Sequence, residues 1–260
     1  LGCALFTRLP RGVELTPAGV AFREEAVAIV EGADHAVARA RQAAAGATGS
    51  LSVGFTSSAM THHLAPELIR RFRESNPAVE VVIQEGNAEA LSERVASGHL
   101  SVGFIRRPVS ERSGLEYHTL VEEPLLIALP RHHPIAQRAL ARSKPHVRLA
   151  ELAQEPFILV RRPGAPGMYG DLIRACHAAG FAPNVVAEVG QMLTNITLVA
   201  AGIGVSAVPA SMRDIHSAGV AYVEARGGPR LVAPLNIMCR IGHGDPVIGR
   251  FVRFALKMSA

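Results

Sequence analysis

Four short runs in this chain combine hydroxyl, amide and guanidinium groups that could hold an anion: Thr56-Ser57-Ser58, Gly86-Asn87, Arg106-Arg107 and Arg161-Arg162. Each follows an apolar stretch that reads as a strand. In an open α/β sheet the ligand site lies outside the carboxyl ends of the strands, so the four runs would converge on one cleft. Thr56, Ser57 and Ser58 also open a helical stretch, where hydroxyls and unbonded backbone N–H groups point the same way. One of these hydroxyls could simply cap the helix, but three exceed what capping needs. Arginine grips a carboxylate through two parallel hydrogen bonds, which lysine cannot do. The chemistry suggested is recognition of a small carboxylate, although each arginine pair taken alone is equally compatible with solvated surface charge.

Covalent chemistry finds no support. The chain has no G-x-x-x-x-G-K-S/T, H-E-x-x-H or G-x-S-x-G motif, so no enzyme is expected. Gly202-Ile203-Gly204 is a lone G-x-G in an apolar run and reads as close helix-to-strand packing. His62-His63 and His132-His133 are adjacent pairs whose side chains diverge, so neither predicts a metal site, and no cofactor is implied. Cys3, Cys176 and Cys239 lie far apart with no C-x-x-C, which excludes a disulfide framework or zinc knuckle and points to the cytoplasm.

Positioning such a cleft requires alternating strands and helices. Strands are expected at 51–55, 79–83 and 102–105, with helices around Leu64–Phe72 and Leu91–Val95 between them, which is repeated βα architecture with a parallel sheet. A second α/β unit follows, with strands at 125–129, 157–160 and 185–189 and a helix around 172–178. Late strands at 205–208, 221–223 and 234–239 and a helix over 247–258 close the chain. The apolar stretch 196–210 is broken by glycine, serine and proline and falls short of the roughly 20 residues a membrane span needs.

The first 46 residues differ from this pattern. Short apolar pieces at Leu5-Phe6 and Val13-Leu15 flank a Pro10-Arg11-Gly12 turn and predict a hairpin. Thr16-Pro17 is a helix start, an N-cap hydroxyl before a proline whose missing N–H costs nothing. From there Phe22, Ala26, Ile29, Ala33, Ala36 and Ala40 recur with a period near 3.5, the seam of a coiled coil. Small side chains along it imply close approach of a second helix, expected from another copy of the chain. The alternative is an amphipathic helix lying on its own domain. A 47–50 hinge follows.

Charge sharpens this division. The 260 residues carry a net +5, yet residues 1 to 46 hold five Arg and five acids, so the whole excess lies after Gly46. A basic chain invites a nucleic-acid reading, but the cations here accompany the strand ends.

The run Leu1-Gly2-x-x-Leu5-Phe6-x-Arg8-x-x-Arg11-Gly12-Val13-x-Leu15-Thr16-x-Ala18-Gly19 closely resembles the wing and linker-helix start of LysR-type transcriptional regulators. Gly54-Phe55-Thr56-Ser57-Ser58, Pro130-x-x-His133-Pro134-x-Ala136 and Val199-Ala200-Ala201-Gly202-x-Gly204-Val205-x-x-Val208-Pro209 are similar to the family's effector domain. The resemblance implies a remnant of a winged helix-turn-helix (1–15), a dimerising coiled-coil linker (16–46) and a two-lobed, periplasmic-binding-protein-like effector domain (51–260), usually assembled as a tetramer. Lobe I would take about 51–121 and 230–260, and lobe II about 123–224. It further implies a partner in operator DNA, with phosphate contacts from Arg8 and Arg11. It also places a carboxylate effector of the muconate or aromatic type between the lobes, on Thr56, Ser57, Ser58, Asn87, Arg106, Arg161 and Met168. The family's recognition helix precedes the Leu-Gly-x-x-Leu-Phe motif, and the chain is expected to lack it. His62-His63-Leu64-Ala65-Pro66 departs from the family's commoner Leu-Leu-Pro spacing, which affects the shape of one pocket wall. A transporter's solute-binding protein shares the two-lobed fold, but it predicts an export signal and no coiled-coil helix.

Overall fold

The computed structural model describes residues 1–9, 12–44, 47–108, 113–160 and 167–259. Arg11, Arg161 and Arg162 lie outside the described residues, as does the side chain of Ala36.

At the amino end, β1 (Phe6–Leu9) and β2 (Gly12–Leu15) pair antiparallel, with Phe6 opposite Leu15. Thr16 then starts α1 (Pro17–Ala44) as its sequence requires: the hydroxyl accepts the Gly19 N–H at 2.9 Å and donates to the Ala4 carbonyl at 2.7 Å. At 1.5 Å per residue α1 is a rod of about 40 Å. Phe22, Val27, Ile29, Val30 and Val37 along it are exposed, so these side chains cover nothing in this chain.

The first half of the body contains β3 (Gly49–Phe55), α2 (Ser57–Met60), α3 (Leu64–Ser75), β4 (Val79–Glu85), α4 (Ala88–Ala96) and β5 (Val102–Ile105). β3 lies between β4 and β5, parallel to both. Leu64, Ala65, Leu68 and Phe72 form the buried stripe of α3. It packs on the sheet beside the last helix, α8 (Pro246–Ser259), where the rings of Phe72 and Phe251 meet edge to face at 4.8 Å. Burying each of these large side chains is worth about 1.5 to 3 kcal/mol.

The second half contains β6 (Leu115–Pro130), α5 (Pro134–Leu140), β7 (His146–Arg148), β8 (Pro156–Val160), α6 (Gly167–Ala178), β9 (Asn184–Val189), α7 (Met192–Ala200), β10 (Ser206–Pro209), β11 (Val220–Arg226) and β12 (Val232–Arg240). Its core gathers Ile127, Leu129, Leu152, Phe157, Leu159 and Cys176. β6 and β12 belong to both halves. Residues 115–124 pair with β12, and residues 125–130 pair with β10 and β11. Strand order along the main sheet is β4-β3-β5-β12-β6-β11-β7, with β8 and β9 forming a separate parallel pair.

The run β4-β3-β5 is parallel as expected, but the main sheet as a whole is mixed. β12 returns antiparallel to both β5 and β6. The stretch 196–210 divides into the end of α7 and β10, turned at Gly202, whose φ of +80° suits glycine. Gly204 sits where a Cβ would come within 2.4 Å of the Pro156 carbonyl, so that glycine serves close backbone packing as expected.

Candidate functional site

The carboxyl ends of β3, β4, β5, β8 and β9 all reach one cleft between the two cores, a space of about 950 Å³ partly open to solvent. Thr56, Ser57, Ser58, Asn87 and Arg106 line it from the first half. Leu125, Leu159, Val160, Met168, Leu172 and Met192 form a largely apolar wall opposite. Six of the seven residues expected at an effector site thus border one cavity, and the seventh, Arg161, lies outside the described residues. Glu89 and Tyr169 also border the cleft, each with interactions of its own.

The three consecutive hydroxyls divide their work. Thr56 caps α2, its Oγ1 accepting the Ala59 N–H at 3.3 Å. Ser57 and Ser58 are buried, and among the described residues their hydroxyls have no hydrogen-bond partner. The expected single helix is interrupted, because α2 ends at Met60 and α3 begins only at Leu64. In between, His62 Nδ1 accepts the Leu64 N–H at 3.2 Å. Burial is the main cause that lowers the His62 pKa below its ordinary 6.5; Glu123 opposes this, and Arg106 and His63 add to it. At Asn87, Oδ1 caps α4 by accepting the Ala90 N–H at 3.0 Å, which leaves the amide N–H groups as its donors.

Arg106 differs most from its expected role as a free grip. It is 3% exposed, and its Nη1 lies 2.7 Å from Glu123 Oε1. Nη2 donates to the Ser58 carbonyl at 2.6 Å and to Ser211 Oγ at 3.0 Å, while Ser211 donates its own hydroxyl to Glu123 at 2.9 Å. The guanidinium is thus already neutralised within the protein, and only its buried Nε is without any partner among the described residues. Burial lowers the Arg106 pKa and the Glu123 carboxylate raises it. Arg107 reaches the other wall, its Nε 2.7 Å from Asp171 Oδ2 on α6.

The LysR substrate binding domain matches residues 44–260. The chain belongs to the LysR family of transcriptional regulators. The HTH-type regulator AlsR of Bacillus subtilis (strain 168) is 30% identical over 98% of this chain and 82% of its own length. The crystal structure of CbnR, a LysR family regulator, superposes with a TM-score of 0.75 at 30% identity, covering 98% of this chain and 85% of that one. The effector binding domain of BenM, solved with its effector benzoate, gives a TM-score of 0.66 at 25% identity over 81% of this chain and 91% of that one.

Membership makes this LysR-family chain a regulator, not an enzyme or a transporter's binding protein, and its mixed α/β body is the family's effector-binding fold. Among the described residues no helix is long and apolar enough to cross a membrane. Gln191, which lines the cleft of this LysR regulator, and Glu123, which pairs with Arg106, were not among the expected site residues. Gln191 follows β9 as Arg106 follows β5, so the strand-end rule was sufficient to find it. Glu123 gave a weaker signal, the second of the adjacent acids Glu122-Glu123 just before the apolar end of β6.

Proposed function

We propose that this chain is the effector-sensing part of a sequence-specific, DNA-binding LysR regulator, and that its cleft takes a small carboxylate with an apolar, best an aromatic, body. The observation that carries this reading is the cleft's division. Two serine hydroxyls without partners among the described residues stand on one side, and aliphatic and methionine side chains stand on the other. The benzoate held by BenM has this chemistry. Serine and asparagine donors take over the role first given to Arg106, whose charge Glu123 already balances.

In this reading residues 1–15 belong to the wing of a winged helix-turn-helix, 16–46 are a dimerising linker helix, and 47–50 a hinge. Residues 51–260 are the effector domain, with lobe I about 51–121 and 230–260 and lobe II about 123–224. Arg8 and Arg11 meet operator phosphates, contacts that position a protein without selecting sequence; CbnR has been solved with its target DNA. The seam of Phe22, Ala26, Ile29, Ala33, Ala36 and Ala40 meets a second copy in a dimer or tetramer. An effector touching both lobes shifts the protein toward the arrangement it binds better.

A thermal-shift comparison of benzoate with benzamide tests the ligand class. The carboxylate should raise Tm with concentration as a ligand specific for the folded state must. Equal shifts from acid and amide, or none from a panel of small carboxylates, would overturn the reading.

A further inference from the structure

Away from the cleft, Glu116 and His118 of β6 and Cys239 of β12 bring one carboxylate, one imidazole and one thiol together, with ligand atoms all within 4.8 Å of one another. We infer that these three residues form a binding site for a thiophilic divalent cation, Zn²⁺ being the natural occupant. The strand register produces the arrangement. Glu116 and His118 are two residues apart on one face of β6, and Cys239 is directly opposite Glu116 across the pair. Cys239 Sγ donates to Glu116 Oε1 at 3.0 Å, and His118 Nε2 stands 3.6 Å from Glu116 Oε2, too far for a good hydrogen bond. Around a tetrahedral zinc with bonds of about 2.0 to 2.3 Å, ligand atoms stand about 3.4 Å apart. Small rotations of Glu116 and His118, both partly exposed, bring the set to that spacing.

Access and coordination number fit as well. Along residues 115–124 the far edge of β6 has no strand partner among the described residues, so the site opens to solvent beside an edge. Three protein ligands leave a fourth position for water. On binding, the Cys239 S–H bond breaks, its electron pair forms the sulfur–metal bond, and the proton leaves to solvent. In the metal-free protein burial, then the hydrogen bond and charge of Glu116, push the Cys239 thiol up to about 12, a cost the sulfur–metal bond has to offset. The ligands on β6 and β12 are up to 123 positions apart in sequence, so the cation would tie together the two strands nearest the return of the chain and stabilise only the folded state.

The test is titration of chelator-treated protein with Co²⁺, followed by displacement with Zn²⁺. The wild type should develop a thiolate-to-cobalt charge-transfer band and intense tetrahedral visible bands, lost in Cys239→Ser and kept in Cys3→Ser. His118→Asn and Glu116→Gln, on the open edge, should each weaken binding by about tenfold or more. Absence of a thiolate band, its survival in Cys239→Ser, or its loss in Cys3→Ser would overturn the site. If Cys239→Ser does not fold, unchanged Co²⁺ affinity in both His118→Asn and Glu116→Gln overturns it equally.

Discussion

The Arg106 guanidinium, which borders the cleft, and the Glu123 carboxylate lie 2.7 Å apart, both buried. Arg106 follows β5 in the first half, Glu123 lies on β6 just before its change of partners, and Ser211, beyond β10 in the second half, bonds to both. A pair of this kind fixes geometry more than it adds stability, because desolvation offsets most of the attraction, while removing one partner leaves the other charged and alone.

Arg106→Ala should therefore destabilise the fold by about 3 to 5 kcal/mol, before any question of ligand arises. Glu123→Gln should also destabilise, and the double variant should cost clearly less than the sum. Urea unfolding of the four proteins measures this; strict additivity would mean that the two groups are not coupled.

Acid should weaken the fold through His62. Its folded pKa lies below the ordinary 6.5, so the unfolded chain takes the proton first, and stability falls as pH drops through 6.5 toward the folded value. His62→Asn keeps an acceptor for the Leu64 N–H and should flatten that part of the stability-pH curve. An unchanged slope below pH 6.5 would assign the acid sensitivity to other groups.

The Arg107–Asp171 pair joins the two cleft walls at the surface, with Arg107 40% exposed on its side chain. Asp171→Asn should shift stability by no more than about 1 kcal/mol, yet speed carboxylate association by loosening a contact between the walls. Stopped-flow binding reads this directly, and an unchanged on-rate would remove the pair from any gating role.

Glutamate at Ile29, which is 71% exposed, should leave the body folded and dissociate the oligomer. Sedimentation velocity distinguishes the outcomes: an assembly of wild-type size would show that α1 is not the association seam.

Much of this molecule was legible because its signals are local. The cap at Thr16-Pro17, the helix it starts and the donors after β3, β4 and β5 are written in adjacent residues. The failures share a different cause. The first ten residues of β6 are dotted with Glu116, His118, Glu122 and Glu123, which tertiary pairing with β12 overrides. The mixed sheet, the neutralisation of Arg106 by Glu123 and the Glu116–His118–Cys239 cluster all depend on that return strand, more than 100 residues further along the chain. A sequence names the donors at a site more readily than it says which of them the protein has already used.

The measurement that decides most is calorimetric titration of benzoate into wild type and Ser57→Ala/Ser58→Ala at matched stability. Hydrogen bonds to a charged group are worth about 1.5 to 3 kcal/mol each, so the double variant should lose about a hundredfold or more in affinity while its Tm without ligand barely moves. Wild-type affinity in the double variant would contradict the account, because the carboxylate would then be held by groups other than the two serines on which the cleft's assignment rests.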